Sequence, residues 1–358
     1  MVRTQHGSHQ IRGPRLGLLL LVFWVLASPA QAWGPHGHAT VAAIAWELMS
    51  DEAKLKSVSE IQNHKRYQEI FDNRMPDEVR NGPADRRNKW IFLQAGLAPD
   101  TAKDLDDDPE QNHFHKGKWH YISFPEYLDP SHAAQVNPRD SLKTTVGRRC
   151  GLLAHRSVKN AIQALKTAEC VIRYSRWKSR RGKYLTWLVH LSGDAHQPLH
   201  AAKLFTPNVF NRGDRGGGWV IVRAAGRTKN LHSLWDGFPG RAGRNFSFVL
   251  ARVESDVDAF FSDRELVEMG EAAAADSDYE VWFNESNDLA VRKAYGPLRD
   301  QLWEAERRNV VGPRNRVDIG GVSSEYIEEG KEISSSRVVV AGYRLAAILN
   351  DIYDEEVL

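Results

Sequence analysis

Histidine and aspartate side chains recur at short intervals in two segments of this sequence. The first segment reads H-L-S-G-D-A-H-Q-P-L-H over residues 190–200, and the second reads L-H-S-L-W-D over residues 231–236. Imidazole and carboxylate groups are ligands that zinc accepts in proteins, usually four to one ion. The number of such groups therefore indicates a site for more than one metal ion. The candidate ligands are His190, Asp194, His196, His200, His232 and Asp236.

The spacing within each segment would bring the members of a pair to one side of a helix. His190 and Asp194 are four residues apart, as are His232 and Asp236. Side chains at this spacing lie one turn apart on the same helix face. An isolated His–Asp pair is usually a surface hydrogen bond. Two such pairs with further histidines nearby favour a metal or catalytic site.

A proline between the ligands of the first segment predicts where its helix ends. Pro198 disfavours helical backbone at the preceding residue, Gln197. The helix should therefore end near Gln197, which lets His200 approach the same site from the following turn.

Another group of candidate ligands follows a predicted cleavage point. Residues 33–38 read W-G-P-H-G-H. Residues 1–32 combine a basic start, an apolar run over 16–27 and A-Q-A at 30–32, which together predict a secretory signal peptide. Cleavage there would free the amino group of Trp33, which could chelate a metal together with its own carbonyl oxygen. The alternative, which this segment alone favours, is a loose chain end with an incidental tryptophan.

Composition and charge fit an exported globular protein. The 358 residues are 42% hydrophobic and 26% charged, which is ample for a large core. The apolar run of twelve residues is shorter than the about 20 that span a bilayer, so a membrane anchor is the less favoured alternative. Loss of Arg3, Arg12 and Arg15 with the signal peptide changes the net charge from +2 to −1. A nucleic-acid partner therefore cannot be argued from net charge.

We expect the mature protein to be secreted or periplasmic, without a membrane anchor. Nothing in the sequence indicates an obligate protein partner. Two cysteines remain, Cys150 and Cys170, and they could form one disulfide or stay as two buried thiols. Asn245 and Asn284 each begin a glycosylation sequon, which matters only if the source glycosylates its proteins.

Apolar residues at intervals of three and four predict a mainly α protein. The strongest strand signal follows three glycines, at residues 220–223, and would form one arm of a short hairpin. Residues 104–108 and 129–140 are predicted loops. Because the candidate ligands spread from residue 33 to residue 236, we expect one domain over 33–358. The predicted helices cover residues 38–49, 158–170, 184–197, 248–261, 279–295 and 333–353.

The chain resembles the tri-zinc, single-strand-specific nucleases, the fungal and plant acid nucleases of the "P-one/S-one" type, which are relatives of zinc phospholipase C. The resemblance covers essentially the whole chain after the signal peptide. It implies a single-domain phospholipase C/nuclease-like helical fold with a small β-hairpin. Its motifs are Trp33, P-D-E-V-R at 76–80, W-H-Y-I at 119–122, H-L-S-G-D and Q-P-L-H within 190–200, and N-L-H-S-L-W-D at 230–236.

The resemblance implies three zinc ions per chain, and a suitable residue fills every ligand position of the family. Two of the zinc ions would form a close pair bridged by one shared carboxylate. The implied ligands are Asp77, His120, His190 and Asp194 for one ion; the amino and carbonyl groups of Trp33 with His38 and the shared Asp194 for the second; and His200, His232 and Asp236 for the third.

Further residues match positions that contact the substrate in the family. Arg80 matches an arginine that steadies negative charge on the phosphate. Tyr121 falls where the family has an aromatic residue that stacks on an unpaired base, although an amphipathic aromatic can equally be core packing. Ser123 stands where characterised members often have an aspartate that hydrogen-bonds the base. The family's Gly-Gly-Asn stretch before the third-zinc ligands appears here as G-G-G-W at 216–219, in which Trp219 could be an extra stacking surface or a packed residue. Four histidines match no ligand position and are expected in surface or supporting roles: His36, His113, His115 and His196.

The function implied is an exported zinc-dependent endonuclease that hydrolyses single-stranded RNA and DNA to 5′-phosphoryl products, with 3′-nucleotidase activity. A zinc phospholipase C is the alternative, since it shares the three-metal core. Those enzymes place their first histidine further from the N-terminal tryptophan and end the ligand set with Glu, whereas here Trp33 and His38 are five residues apart and the last ligand is Asp236. A non-catalytic zinc-binding protein is a third hypothesis, against which Arg80 and Tyr121 argue.

Overall fold

The computed structural model describes residues 33–104, 116–146, 158–240 and 247–354. It confirms a mainly α protein with a few short strands. The predicted signal peptide, Cys150, Asn245, His113 and His115 lie outside the described residues. The α-helices are α1 Pro35–Leu48, α2 Asp51–Gln62, α3 Tyr67–Ile70, α4 Asp77–Arg80, α5 Ala84–Ala95, α6 Ala98–Asp104, α7 Ala161–Tyr174, α8 Lys178–Asp194, α9 Leu231–Asp236, α10 Leu250–Ser262, α11 Arg264–Ala274, α12 Tyr279–Leu289, α13 Arg299–Arg308 and α14 Ser324–Asp354.

Helix α8 is the central element of the helical layer. Every residue from Tyr184 to Asp194 is buried, because α8 packs against α1, α2, α5, α7 and α14. A helix that is buried on all sides needs apolar residues around its whole circumference, and Leu185, Leu188 and Leu191 with their neighbours supply them. The helix predicted over 184–197 begins earlier than expected, at Lys178. Its candidate ligands His190 and Asp194 lie in its last two turns.

The end of α8 follows the prediction from Pro198. Asp194 is the last residue of α8, and Pro198–His200 form a separate 3₁₀ turn that leads into a strand. The side chain of Gln197 caps this turn by accepting a hydrogen bond from the backbone N–H of Leu199. The turn brings His200 back toward the helix, as the spacing predicts.

Five short strands flank the helices in the part of the chain that the structure describes. β1 Phe124–Tyr127 pairs in parallel with β2 Ala202–Phe205. β3 Val220–Ala224 forms an antiparallel hairpin with β4 Arg227–Asn230 through a turn in which Ala225 and Gly226 have positive φ. β5 Val317–Gly321 joins β3 in parallel from the far end of the chain. The hairpin around residues 220–223 is confirmed, whereas β1, β2 and β5 were not predicted because runs of four or five residues carry little periodicity.

Other elements have boundaries in the structure that differ from the predicted ones. The helix predicted over 279–295 is split: α12 ends at Leu289 and continues as a π-helix over Ala290–Tyr295. The predicted loop over 129–140 contains the 3₁₀ turn Pro130–Ala134. Among the described residues, no helix is both long and apolar enough to span a bilayer. Cys170 is disulfide-bonded, and the only other cysteine of the sequence is Cys150.

The candidate metal centre

Three groups of buried histidine and aspartate side chains meet at the C-terminal end of α8. Within each group, one candidate ligand atom from each member lies within 4.8 Å of the others. All members are buried. The two sequence segments therefore lie together with residues from α1, α6 and the 3₁₀ turn Gly117–His120. The groups are His120, His190 and Asp194; His38, Asp100 and His190; and His200, His232 and Asp236.

Asp194 lies at the centre of the first two groups. Its Oδ2 atom is 3.0 Å from Nδ1 of His120 and 3.3 Å from Nε2 of His190. Its other oxygen, Oδ1, lies 3.4 Å from Nε2 of His38. Each oxygen of the carboxylate therefore faces a different set of imidazoles, which is the geometry that a bridging carboxylate requires.

Backbone carbonyl groups fix the orientation of three of the imidazoles. Nδ1 of His190 donates to the carbonyl of Gly96 at 2.7 Å, and Nδ1 of His200 donates to the carbonyl of His120 at 2.6 Å. Nδ1 of His232 donates to the carbonyl of Gly216 at 2.7 Å. A donating Nδ1 leaves Nε2 deprotonated and available as a ligand, and this support is typical of metal-binding histidines.

A cation fits this arrangement because the polar atoms do not satisfy one another. Both ring nitrogens of His38, Oδ1 of Asp194 and Oδ2 of Asp100 are buried without a hydrogen-bond partner. Nε2 of His200 and Nε2 of His232 face each other at 3.1 Å, although Nδ1 of each ring already donates to a carbonyl. Buried polar groups without partners are costly. A divalent cation would satisfy them, and the nitrogen and carboxylate donor set suits zinc.

The charges of the site are strongly coupled. Burial alone would lower the pKa of His190, but the carboxylates of Asp194 and Asp100 outweigh burial and raise it to about 9. Burial would likewise raise the pKa of Asp194, but His190 and His200 hold it well below its usual value. Burial raises the pKa of Asp236 well above its usual value, which a nearby cation would reverse. A bound metal would therefore displace a proton from His190 and keep Asp236 ionised.

The structure does not bring Asp77 to this site, and a different aspartate takes its place. Asp77 lies exposed at the start of α4, and the side chain of Arg80 in the same helix donates to Asp72 at 2.7 Å. Asp100 in α6 is only 3% exposed and lies beside His38 and His190. The structure therefore places neither the expected zinc ligand Asp77 nor Arg80 in the three groups.

A signal for Asp100 is present in the sequence. The dipeptide Pro-Asp occurs at 76–77 and again at 99–100, each time followed three residues later by a basic residue, Arg80 or Lys103. The first occurrence matches the family motif more fully. The second occurrence follows the apolar run over 90–98, which is buried in α5 and the start of α6. A polar residue that directly follows such a run is the better candidate for a buried site.

Trp33 packs next to His38 and near Asp236 of the third group. Its side chain is completely buried, and the backbone N–H of the next residue, Gly34, donates to the carbonyl of Asp236 at 2.8 Å. Gly193 lets His38 and Trp33 pack closely against α8. A Cβ atom at this position would lie 2.7 Å from Nδ1 of His38 and 3.6 Å from the indole of Trp33. The first described residue is therefore anchored rather than loose.

A cleft of about 540 Å³ opens onto the three groups. His120, His200, His232 and Asp100 line its floor, and Tyr121 and Ser123 line one wall. Tyr121 is 38% exposed, whereas Ser123 is buried. The cations at the cleft are Lys118, Lys203 and Arg215.

Tyr121 lines both this cleft and a second cavity. The second cavity has a volume of about 340 Å³ and shares Lys118, Tyr121 and Ser123 with the first. Burial raises the pKa of the Tyr121 hydroxyl, so the ring stays neutral at physiological pH. The exposed face of Tyr121 between two cavities can accept a flat ligand such as a nucleobase.

Asp214 is a supporting residue that the sequence did not reveal. Its carboxylate accepts hydrogen bonds from the backbone N–H groups of Leu204, Gly216 and Gly217 and from the hydroxyl of Tyr295. These bonds hold the glycine turn in which Gly216 and Gly217 have positive φ. The carbonyl of Gly216 in turn orients His232, so Asp214 acts on the third group through the backbone.

The remaining histidines and Trp219 have structural contacts. His196 is completely buried, and its Nε2 accepts a hydrogen bond from Arg344 at 3.0 Å. His36 is also buried and contacts Asp256 at 2.5 Å. Trp219 is half-buried beneath the guanidinium group of Arg215. The two histidines support the helices around the site and are not surface residues.

Comparisons with known proteins agree with this geometry. Residues 33–354 match the model of the S1/P1 nuclease family. The chain is 26% identical to nuclease S1 of Aspergillus oryzae over 64% of this chain and 74% of that protein. It is 24% identical to endonuclease 4 of Arabidopsis thaliana over 94% of each chain. Endonuclease 1 of the same plant is 23% identical over 95% of this chain and 92% of its own length.

Proposed function

Because the chain belongs to the S1/P1 nuclease family, we propose that it is a zinc-dependent phosphodiesterase that hydrolyses single-stranded RNA and DNA to products with 5′-phosphoryl ends. The proposal includes 3′-nucleotidase activity on mononucleotides. The observation that carries it is the set of three buried His/Asp groups at the C-terminal end of α8, next to a cleft that the exposed Tyr121 lines. Such a site needs no nucleophilic side chain.

We propose three zinc ions with one change to the ligand set that the sequence implies. Asp100 replaces Asp77, so that Asp100, His120, His190 and Asp194 hold the first ion. His38 and Trp33 hold the second together with the shared carboxylate of Asp194. His200, His232 and Asp236 hold the third. When bound, zinc supplies Lewis acidity toward a phosphate oxygen and lowers the pKa of water from ~15.7 to about 7.

The side chains of this protein then bind and orient the substrate. Lys118, Lys203 and Arg215 line the cleft and would pair with phosphate oxygens on either side of the scissile bond. Lys203 is held in place by Asp140 at 2.7 Å, and Arg215 rests on the ring of Trp219. These cations take the role that the sequence had given to Arg80, whose guanidinium is instead paired with Asp72.

Single-strand preference follows from Tyr121. A base can stack on the ring only if it is unpaired, because the faces of a base in a duplex are already covered by its neighbours. Stacking is worth about 1–3 kcal/mol per base and tolerates any base. Ser123 beside Tyr121 offers one hydroxyl where an aspartate would accept two hydrogen bonds from a base. We therefore propose weak discrimination among bases.

Assays on two substrate classes test the proposed function directly. The purified, zinc-loaded protein should release acid-soluble nucleotides from single-stranded DNA and RNA, with far less turnover of the same sequence as a duplex. A choline phospholipid is the matched substrate for the phospholipase C alternative. Turnover of the phospholipid without turnover of either nucleic acid would reject the nuclease proposal.

The proposed role of Trp33 makes a prediction about maturation. We propose that residues 1–32 are removed on export and that the freed amino group of Trp33 binds the second zinc. A protein with one extra glycine before Trp33 should lose about one zinc per chain and most of its activity, because an amide nitrogen is a much poorer ligand than an amine. The measurement is metal content by mass spectrometry of the purified protein together with kcat/KM on a single strand.

The matched control for this variant carries the same glycine after the last residue of the sequence, Leu358. That control should keep three zinc ions and full activity. Three zinc ions and full activity in the N-terminally extended protein would show that the amino group of Trp33 is not a ligand.

A further inference from the structure

A second basic and aromatic surface lies at the opposite end of α8 from the metal centre. The sequence over 173–183 reads R-Y-S-R-W-K-S-R-R-G-K, with six basic residues and no acidic residue. It forms the end of α7, a short connection and the first turns of α8. We call the exposed part of this segment the basic–aromatic turn, and it comprises Tyr174, Arg176, Trp177 and Lys178.

The aromatic residues of this turn are unusually exposed. In the described ranges, only three aromatic side chains are classed as exposed: Tyr121, Tyr174 and Trp177. Tyr174 is 76% exposed and Trp177 is 52% exposed. Large aromatic side chains usually bury most of their surface. Tyr121 is at the metal cleft, so the other two form a separate pair of aromatic surfaces that face solvent.

The cations of this segment divide into two sets. Arg173 pairs with Glu169 and Asp351, and Arg181 pairs with Glu60. These ion pairs involve carboxylates that border the segment, and they hold the backbone on both sides of the basic–aromatic turn. The guanidinium of Arg176 instead lies over the ring of Trp177 at 5.3 Å, and that of Arg180 lies over the ring of Tyr184 at 5.7 Å. Arg176 is exposed, and a guanidinium group stacked on an aromatic ring keeps N–H donors that can bind an anion.

The turn is connected to the metal cleft by packed aromatic rings. The ring of Tyr184 lies between Arg180 and Trp119, with 6.0 Å between the centroids of Tyr184 and Trp119. Trp119 stands between Lys118, which lines the cleft, and the ligand candidate His120. From Lys178 to Asp194, α8 spans about 24 Å. A single strand of about 20 nucleotides is longer than this distance even at a rise of about 3.4 Å per nucleotide.

We propose that the basic–aromatic turn is a second binding surface for single-stranded nucleic acid, on which bases stack against Trp177 and Tyr174 while phosphates pair with Arg176 and Lys178. This inference rests on the proposed nuclease function. Exposed aromatic rings between cations bind unpaired strands without sequence preference. The surface holds a long strand near the cleft and raises its local concentration there. A substrate of two nucleotides occupies only the cleft, so the basic–aromatic turn does not contribute to its binding.

Two double variants test the surface, since their side chains are exposed or half-exposed and their removal should leave the fold intact. Tyr174→Ala with Trp177→Ala removes the stacking surfaces, and Arg176→Gln with Lys178→Gln removes cations. Each should raise KM for a single strand of about 20 nucleotides by roughly tenfold and leave kcat/KM for a dinucleotide unchanged. The cation variant should also lower the slope of log KM against log salt by about 1.4, or ~0.7 for each phosphate contact.

The matched control is Lys65→Gln with Arg252→Gln, which removes two exposed cations that do not line the cleft. It should leave KM unchanged for both substrates. Equal binding of a phosphorothioate-linked strand, which resists hydrolysis, by the wild type and both turn variants would overturn the proposal. Equal losses on the long strand and the dinucleotide would also overturn it, because they would indicate a disturbed cleft.

Two further outcomes separate this inference from its premise. If the wild type hydrolyses no phosphodiester, the nuclease proposal fails, whereas loss of phosphorothioate-strand binding in the turn variants would still support a strand-binding surface. If the variants lose binding only to phosphatidylglycerol vesicles and bind the strand normally, the surface recognises lipid and the proposal is wrong.

Discussion

Asp194→Asn is expected to lower kcat/KM on single-stranded DNA by about 1,000-fold or more. The carboxylate of Asp194 faces His120 and His190 with one oxygen and His38 with the other. Asparagine keeps the shape of the side chain but replaces one oxygen with an NH₂ group and removes the charge that would hold two cations close together. Loss of several kcal/mol of charge stabilisation corresponds to a rate change of this size.

Metal content should fall together with activity in this variant. We expect Asp194→Asn to bind about one zinc instead of three, because the pair that shares the carboxylate is lost and the third group does not depend on it. Asp258→Asn is the matched control, since Asp258 is exposed on α10. It should keep full zinc content and activity. If Asp194→Asn retained three zinc ions and normal turnover, the bridging role would be wrong.

Asp100→Asn and Asp77→Asn should differ by about 100-fold in kcat/KM. Asp100 is buried beside His38 and His190, and its Oδ2 atom has no hydrogen-bond partner there. Replacing it should therefore remove a ligand and lower both zinc affinity and turnover. Asp77 is exposed on α4, and its replacement should change kcat/KM by less than about twofold. The comparison needs zinc titrations and steady-state kinetics on the same single strand.

The unfolding temperature of the Asp100→Asn variant distinguishes loss of a zinc ligand from a defect in folding. Without metal, the carboxylate of Asp100 is a buried group with an unsatisfied oxygen, so the asparagine variant should unfold at a temperature no lower than that of the metal-free wild type. A lower unfolding temperature with normal zinc affinity would mean that Asp100 is structural. If Asp77→Asn proved to be the damaging change, the original assignment from the sequence motif would be restored.

The sequence predicted the ligand-bearing elements better than it predicted every ligand. The four-residue spacing of His190 and Asp194 requires only a helix to bring them together, and α8 provides it. Pro198 likewise determines the turn that returns His200 by local sterics. These predictions succeed because they depend on residues that are near one another in the chain.

Predictions that depend on distant packing were less successful. Pro76-Asp77 and Pro99-Asp100 are the same dipeptide, and they differ in the apolar run that precedes the second, which packs in α5 and α6 near α8 and places Asp100 at the site. The same reason explains His196, which was expected in a surface or supporting role. Its burial depends on Arg344, which is 148 residues away in the chain. Local patterns carry no information on such pairings.

The basic–aromatic turn at the start of α8 illustrates a third limit of prediction from sequence. The density of basic residues over 173–183 can be read from the sequence, but the number that is available to a ligand cannot. Arg173 and Arg181 are used by carboxylates from α14 and α2, whereas Arg176 lies on Trp177. Only the structure distinguishes the paired cations from those that face solvent.

Diffraction data collected above and below the zinc absorption edge test the central claim most directly. Crystals of the zinc-loaded protein that begins at Trp33 should give three anomalous peaks. Two should lie on either side of the Asp194 carboxylate, with Asp100 beside the pair, and the third should lie among His200, His232 and Asp236. A single peak, or a peak beside Asp77, would contradict the proposed metal centre.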